Sequence, residues 1–321
     1  DFLLSGIGGC CSAEFGDLAC LLTMETTIQS PDERGCIFCP DHKTGWHYTD
    51  VGAGRPLILL HGIGMSHVAW KKLLPILVKE RRVIAFDIAG FGSTPALADI
   101  DQTPANLVAS LAETLSSIDG KLKLSEKYER VDIVGNSLGG YMALEAAKLG
   151  KLACFDINSI VALSPAGLWK KHFPYRTEAV LQLTRLGVSL FPRLTGVLLH
   201  RKRTRRLLMA VPVSREVSEE DAVELTNIFA VAPLFESSAR LRQFRNCMKA
   251  PFKGGATIPK SVRVTIAFGK RDLLLPSSCR LHHEIPEAEN IIWRDNQEGW
   301  AHVPMWDDPQ GVARFILEGT S

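Results

Sequence analysis

From about residue 43 onward, short apolar runs alternate with longer segments in which apolar residues recur at helical spacing. A run such as "PLILLHG" is apolar throughout, which is typical of a strand buried on both faces of a parallel sheet. "PANLVASLAETLSSI" instead places its apolar residues three and four positions apart, which predicts an amphipathic helix. Further strands are predicted at 46–52, 82–90, 131–135 and 157–167, and further helices at 69–80 and 141–147. This alternation predicts an α/β fold in which a mostly parallel central sheet has helices on both faces.

The alternation is interrupted between residues 166 and 248. That segment has helical periodicity, little strand character and several basic runs. Strand patterns return at 262–272 and 290–295, and a last helix is predicted at 309–319. We therefore expect residues 43–165 and 249–321 to form one core domain, with residues 166–248 inserted into it as a helical lid over one end of the sheet.

The charge of the chain is almost balanced, which narrows the classes of partner. Its 321 residues include 37 Lys and Arg against 35 Asp and Glu, giving a formal net charge of +2. This balance does not indicate nucleic acid as a partner. A hydrophobic fraction of 46% supports a large core, and no run approaches the roughly 18 apolar residues that indicate a membrane span. The composition predicts a soluble globular protein, which we expect in the cytoplasm.

The first 40 residues differ from the rest in their cysteine content. They hold five of the eight cysteines, and Cys36 and Cys39 form a C-x-x-C pair with His42 nearby. Such a pair suits zinc, but no second ligand pair follows at finger-like spacing, so we interpret residues 1–42 as a non-catalytic extension without a metal site. The segment is a poor match to a secretory signal because it lacks a basic leader, and Met24 is a candidate natural start.

One serine lies between glycines at a predicted junction of strand and helix. In "VDIVGNSLGGYMALEAA" the strand ends at Gly135, Ser137 follows, and Gly139 and Gly140 precede a run of helix formers. Side chains beside a very tight turn collide with the backbone, so small residues on both sides indicate a turn that presents the serine. A serine hydroxyl becomes a strong nucleophile only when a neighbouring base takes its proton. The rest of the chain must therefore supply that base.

The strand patterns deliver three candidate catalytic residues to one edge of the sheet. Ligands in open parallel sheets bind beyond the carboxyl ends of the strands. Ser137, Asp272 and His302 each follow a predicted strand, in that chain order. Asp295 and Glu298 are nearer to His302 in sequence, but Asp272 comes directly after an apolar strand and is the preferred acid.

These residues and five short motifs resemble the α/β-hydrolase family over roughly residues 43–319, and within it the serine carboxylesterases with a helical lid. The motifs are "HGIG" at 61–64, "DIAGFGS" at 87–93, "GNSLGG" at 135–140, "GKRD" at 269–272 and "AHVPMWDDP" at 301–309. The resemblance implies that Ser137 is the nucleophile, His302 the general base and Asp272 the acid that orients it. It also implies an oxyanion hole formed by the backbone N–H groups of Ile63 and Leu138. No metal or organic cofactor is required.

Other residues have both a chemical and a structural interpretation. Four apolar residues are candidates for substrate contact, or for packing of the lid alone: Trp169, Phe173, Leu190 and Phe191. The basic run "HRKRTRR" at 200–206 either recognises an anion or an acidic surface, or forms a solvated helix face, which we favour. We interpret three further histidines as non-catalytic, with a structural role for the first and a surface position for the others: His61, His282 and His283.

The serine favours ester hydrolysis through an acyl-enzyme, with a small-molecule ester as substrate. A lid rich in Leu and Phe suits an apolar acyl group of short to medium length. Carbon–carbon bond hydrolases of meta-cleavage products in aromatic degradation share the "GNS" turn, but they usually have tryptophan where Val303 follows His302. A third hypothesis is a non-enzymatic scaffold that binds a ligand, which slow single-turnover acylation with tight ligand retention would indicate.

Overall fold

The apolar runs predicted as strands form one mixed sheet. The structure, a computed structural model, describes residues 39–40, 46–98, 100–169, 175–280, 285 and 288–321. The order of strands in the sheet is β1-β2-β4-β3-β5-β7-β8-β9, with β6 paired to β7 outside this path. In chain order the described strands are β1 (Cys39–Pro40), β2 (His47–Gly52), β3 (Pro56–Leu60), β4 (Arg82–Phe86), β5 (Arg130–Asn136), β6 (Lys151–Leu152), β7 (Phe155–Leu163), β8 (Arg263–Gly269) and β9 (Ile291–Gln297).

Most neighbouring strands of this sheet are parallel. β3 lies between β4 and β5, and β5, β7, β8 and β9 follow one another, all in parallel register. Among the described strands, only the pairs β1–β2, β2–β4 and β6–β7 are antiparallel. The predicted mostly parallel sheet is therefore confirmed. Because the strands run the same way, the carboxyl ends of β3, β5, β8 and β9 meet at one edge.

Helices cover both faces of the sheet, as the alternating pattern predicts. Ile58 and Leu60 of β3 pack in one buried core with residues of α2 and α3. Leu57 and Leu59, which point to the opposite face, pack in a second core with residues of α1 and α9. The bounds of these four helices are α1 (Leu74–Leu77), α2 (Pro104–Leu122), α3 (Leu138–Leu149) and α9 (Pro309–Gly319).

Five more α-helices are described between β7 and β8, within the range 166–248 that the sequence predicts to be inserted and helical. None of the helices in the described part of the chain is long and apolar enough to cross a bilayer. The five helices are α4 (Tyr175–Leu190), α5 (Pro192–His200), α6 (Lys202–Met209), α7 (Glu219–Ala230) and α8 (Ser238–Met248).

The helix predicted over residues 69–80 is wrong in its extent. The chain forms a 3-10 turn at His67–Trp70, and α1 has only four residues. Pro75 has no N–H, and in a longer helix its ring would collide with the carbonyl four residues earlier, so α1 begins only at Leu74 and has Pro75 in its first turn. The apolar spacing of the segment still reflects burial, because Leu73 and Leu77 are fully enclosed.

Several predictions concern residues outside the described ranges. The extension at 1–42, with its C-x-x-C pair, His42 and Met24, lies outside them apart from the backbone of Cys39 and Pro40 in β1. His282, His283 and Phe173 are also outside the described residues.

Glycines let α3 approach the sheet more closely than any other residue would. A Cβ atom on Gly139 would lie 2.1 Å from the carbonyl oxygen of Leu60 in β3. A Cβ atom on Gly135 would lie 2.0 Å from the carbonyl oxygen of Gly139 itself. These neighbours are backbone atoms of packed elements, which cannot move aside as a flexible side chain does. Gly120 in α2 differs, because a Cβ atom there meets nothing within 4 Å.

We predict opposite effects for alanine at two of these glycines. Gly139→Ala forces α3 away from β3 and should lower the free energy of unfolding by more than about 3 kcal/mol. Gly120→Ala should raise it by about 0.5–1 kcal/mol, because alanine has the higher helix propensity. Urea unfolding followed by circular dichroism measures both. Equal stability of Gly139→Ala and the native chain would contradict the close approach.

Candidate active site

β5 and α3 are joined by a very tight turn at Ser137. This residue has φ of 53° and ψ of −111°, a backbone conformation that residues with a side chain rarely adopt. The Ser137 N–H donates to the carbonyl oxygen of Leu163 at 3.0 Å. The Ser137 carbonyl accepts from the N–H groups of Tyr141 and Ala166 at 3.0 and 2.9 Å. Main-chain bonds from β7 and α3 therefore hold the turn.

His302 and Asp272 lie beyond the ends of β9 and β8. Nδ1 of His302 is 3.0 Å from Oδ2 of Asp272, whose other oxygen accepts the N–H groups of Leu274 and Leu275 at 3.0 and 2.9 Å. Burial opposes ionisation of Asp272, but the charge of His302 and these hydrogen bonds hold the pKa of Asp272 below its ordinary value. The carboxylate thus keeps the imidazole proton on Nδ1, which leaves Nε2 as a proton acceptor.

Ser137 and His302 line the same cavity, whose empty volume of about 840 Å³ includes space open to solvent. Only 7% of the Ser137 surface and 2% of the His302 surface is exposed, and Asp272 is equally enclosed. The fold therefore brings the three residues of the predicted triad to one end of the sheet. With His302 oriented by Asp272, this arrangement can pass a proton from a serine hydroxyl to an imidazole.

The loop after β3 lies directly against the turn at Ser137. A Cβ atom on Gly62 would be only 3.3 Å from Cβ of Ser137. Ile63, the next residue, lines the cavity. Leu138 is the first residue of α3, so its N–H has no acceptor within the helix. The two residues predicted to form the oxyanion hole therefore lie on segments that flank Ser137.

His61 anchors this loop from inside the core. It is fully buried, its Nδ1 lies 2.7 Å from the Gly62 carbonyl oxygen, and its Nε2 accepts the Ile88 N–H at 2.9 Å. These partners fit a neutral ring with its proton on Nδ1. Burial lowers the pKa of His61 from 6.5 to about 4, and the opposing effect of the Asp87 charge is smaller. His61 therefore shapes the loop as an uncharged group.

Asn136 connects the serine turn to the segment that carries His302. Its Nδ2 donates to the carbonyl oxygens of Leu163 and His302, at 3.1 and 3.0 Å. The side chain is completely buried, so both bonds are shielded from water. The sequence shows a polar residue at a strand end, but it contains no signal for a contact with a residue 166 positions away.

Helices between β7 and β8 supply much of the cavity wall. α4 contributes Thr177, Leu181, Thr184 and Val188, whose spacing of four, three and four places them on one helix face. Sequence reasoning did not single out these residues, because periodicity marks a helix face without showing which face turns to the site. Six further residues that it missed complete this wall: Met209, Pro212, Val213, Leu225, Thr226 and Phe229.

The described side chains predicted for substrate contact lie elsewhere. Leu190 and Phe191 are 61% and 56% exposed, because α4 turns Val188 inward and Leu190 outward. Trp169 is buried, and its Nε1 donates to the Lys249 carbonyl oxygen at 3.2 Å. None of the three lines this cavity or the one beside it. The alternative interpretation of Trp169, that it only packs, fits these contacts.

A second cavity of about 570 Å³ adjoins the first, and both are lined by Ile63 and Phe229. Its wall includes three aromatic rings together with charged side chains. Arg245 of α8 forms an ion pair with Glu178 of α4, and Arg185 of α4 lies beside them. Glu178 and Arg185 of α4 therefore line this second cavity.

The remaining acidic candidates are not required to explain the orientation of His302. Glu298 is exposed and pairs with Lys270 at 2.6 Å, whereas the hydrogen bond of His302 goes to Asp272. In the described part of the chain, no group of three or more His, Cys, Asp or Glu side chains is arranged to hold a metal ion.

We predict that His61 makes the folded state sensitive to mild acid. Its folded pKa of about 4 lies below the unfolded value of 6.5, so the unfolded state binds the extra proton and stability falls as pH drops through this window. Between pH 7.5 and pH 5, the titration of His61 should lower the free energy of unfolding by about 2 kcal/mol. Urea unfolding at both pH values should show a smaller loss in His61→Gln than in the native chain. An equal loss in the two proteins would show that His61 is not the group responsible.

The sequence matches known hydrolases. The sequence model of the alpha/beta hydrolase family matches residues 57–315. A 2-hydroxy-6-oxo-2,4-heptadienoate hydrolase of Pseudomonas putida is 41% identical over 101 residues, which are 30% of this chain and 34% of that protein. A pimeloyl-[acyl-carrier protein] methyl ester esterase of Aeromonas hydrophila is 23% identical over 267 residues, or 83% of this chain and 95% of that protein. The chain spans 34% to 41% of the length of the first curated relatives that it matches.

Solved structures share the fold. A serine hydrolase involved in carbazole degradation superposes with a TM-score of 0.61 at 21% identity, covering 88% of this chain and 96% of that one. Identity this low supports the fold alone. The family match, however, covers most of the chain and includes the parallel strands of the sheet apart from Pro56, the serine turn and the segments that carry Asp272 and His302. The chain belongs to the alpha/beta hydrolase family.

Proposed function

We propose that this hydrolase cleaves uncharged carboxylic esters of short to medium acyl length through an acyl-enzyme. Ser137 is the nucleophile, His302 the general base and Asp272 the acid that orients it. The observation that carries the proposal is the chemistry of the 840 Å³ cavity. Among the described residues that line it, His302 has the only titratable side chain, and most of the others are apolar. Such a cavity favours an uncharged, apolar substrate.

The hydrogen bond between His302 and Asp272 supports the mechanism that we propose. Nε2 of His302 takes the Ser137 proton as Oγ attacks the ester carbonyl, and Asp272 stabilises the imidazolium that forms. The N–H groups of Ile63 and Leu138 bind the oxyanion, each worth about 3 kcal/mol in the transition state. His302 then protonates the leaving alcohol, and water hydrolyses the acyl-enzyme by the same steps in reverse order.

In this proposal the helical segment 166–248 is a lid over the reacting ester. Its helices contribute apolar and threonine side chains to the cavity wall, opposite the serine turn. Exclusion of water strengthens the interaction between the developing charges and the oxyanion donors. It also protects the acyl-enzyme from premature contact with bulk solvent.

A second candidate function is hydrolysis of carbon–carbon bonds in meta-cleavage products. Three relatives are named as hydrolases of a hexadienoic acid, a heptadienoate and a hydroxymuconate semialdehyde. They are 35% to 41% identical to this chain over their matched segments. Two of those names describe the substrate as a dienoic acid or a dienoate, which carries a carboxylate. The described lining of the catalytic cavity offers no Lys or Arg to bind that group. The lack of a cation in this described lining favours an uncharged ester over a dienoate as the substrate.

Our first test of this proposal is steady-state hydrolysis of p-nitrophenyl esters of graded acyl length. The native chain should turn over repeatedly, with the highest kcat/KM at short to medium length. Ser137→Ala should reduce kcat at least about 10⁴-fold, whereas Ser116→Ala, on the exposed face of α2, should not change it. Single-turnover acylation without turnover would instead indicate a ligand-binding scaffold. Cleavage of a meta-cleavage dienoate without ester turnover would indicate the second candidate.

Asp272→Asn tests the role of the buried acid. An amide at this position favours the wrong imidazole tautomer, so kcat should fall by about 10³- to 10⁴-fold with little change in KM. Glu298→Gln is the matched control, because this exposed carboxylate pairs with Lys270. Steady-state rates of p-nitrophenolate release over a range of ester concentrations give both constants. Equal losses in the two variants would exclude Asp272 as the specific partner of His302.

A further inference from the structure

The outer face of α4 is apolar, which is unusual for a helix at a protein surface. Its described exposed residues are all uncharged: Tyr175, Ala179, Leu183, Leu186, Ser189 and Leu190. Leu183 is 67% exposed, and Leu186 is 53% exposed. A surface helix normally turns its polar residues outward. Two charged residues of α4, Glu178 and Arg185, line the second cavity instead.

Exposed apolar residues also occur on α5, which packs against α4, and on α6, which packs against α5. Thirteen large hydrophobic side chains are strongly exposed in the described part of the chain, and nine of them fall between residues 175 and 208. Exposed apolar residues clustered on one surface indicate an interaction site. We call the described exposed apolar residues of these helices, together with Phe191, the outer lid face: Tyr175, Leu183, Leu186, Leu190, Phe191, Leu194, Val197, Leu207 and Leu208.

Unpaired basic residues accompany this face. Arg193 lies on α5 between Phe191 and Leu194, and all three side chains are exposed. The start of α6 adds further cations that form no ion pair with any described carboxylate: Arg201, Lys202 and Arg203. By contrast, the next two arginines of the same run are paired, Arg205 with Glu219 and Arg206 with Glu216.

We propose that the outer lid face docks on membranes that contain anionic phospholipid. Exposed leucine and phenylalanine side chains insert among the acyl chains, while neighbouring Lys and Arg bind the phosphates. A symmetric dimer formed through this face would instead place its unpaired cations close to the same cations of the second copy, which would repel them: Arg193, Arg201, Lys202 and Arg203. The charge on the face therefore favours an anionic lipid surface over a second copy of this chain.

Docking in this way places the catalytic cavity beside the lipid. One face of α4 carries the exposed leucines, and the opposite face lines the cavity through Leu181 and Val188. The association is peripheral, since the contacts come from surface side chains of short helices. The proposal concerns binding and holds independently of which bond the enzyme cleaves.

Co-sedimentation of the full chain with lipid vesicles tests the proposal. The chain should bind vesicles of phosphatidylcholine and phosphatidylglycerol more tightly than vesicles of phosphatidylcholine alone, and added salt should weaken the binding. The double variant Leu183→Glu, Leu186→Glu should weaken it by about tenfold or more. The double variant Arg201→Gln, Lys202→Gln should lose about tenfold on the anionic vesicles only. Unfolding temperatures check that both variants are folded.

Leu149→Glu is the matched control. Leu149 is 64% exposed, and it ends α3 at the edge of the sheet opposite to Ser137. Its replacement should leave vesicle binding unchanged. Absence of binding by the native chain, equal binding to both kinds of vesicle, or unchanged binding by the leucine double variant would each overturn the proposal. If light scattering shows that the native chain is a dimer and that the leucine double variant is a monomer, the outer lid face binds a second copy of this chain instead of a membrane.

Discussion

The strained backbone at Ser137 is the constraint on which the arrangement of the site depends. A residue with a side chain in this conformation costs on the order of 1–3 kcal/mol, so the surrounding structure must hold it in place. Hydrogen bonds to the backbone of β7 and α3 do so, and Gly139 permits the close packing of α3 on β3. The side chain of Asn136 extends this support to the carbonyl of His302. The position of the serine is thus set by contacts with neighbouring backbone.

Among the residues that the structure describes, the ionisable groups at the catalytic cavity are His302, which lines it, and Asp272, which is hydrogen-bonded to His302. The carboxylate is enclosed, but the imidazole and the N–H groups of Leu274 and Leu275 satisfy its oxygens, which offsets much of the cost of burial. In apolar surroundings the attraction between an imidazolium and this carboxylate is larger than it would be in water. The same surroundings penalise a second, unpaired charge on the ligand. The proposed reactivity and the proposed preference for an uncharged substrate therefore have a common physical origin.

Features with a local cause could be predicted from the sequence. Continuous apolar runs predict the parallel strands, and the glycines around Ser137 predict the tight turn. Both features could be predicted because they follow from contacts between nearby residues. The helical spacing predicts too long a helix at α1, because the restriction that Pro75 places on the backbone has the larger effect. From the sequence, Leu190 and Phe191 are candidates for substrate contact or for packing of the lid. However, α4 is apolar on two faces, and packing decides which face turns inward. The partner of Asn136 depends on the assembled sheet and has no local signal.

The position of the five-helix segment also has a consequence for synthesis of the protein on the ribosome. Strand residues Ser159–Leu163 pair with Arg263–Ala267, which follow about 100 residues later in the chain. At about 5–20 residues per second, a ribosome needs roughly 5–20 s to supply that partner. During this interval the edge of β7 has unpaired backbone groups, which can pair with a strand of another chain. The nascent chain is therefore more prone to aggregation than the finished enzyme, and chaperones that shield this edge should have their largest effect in that interval.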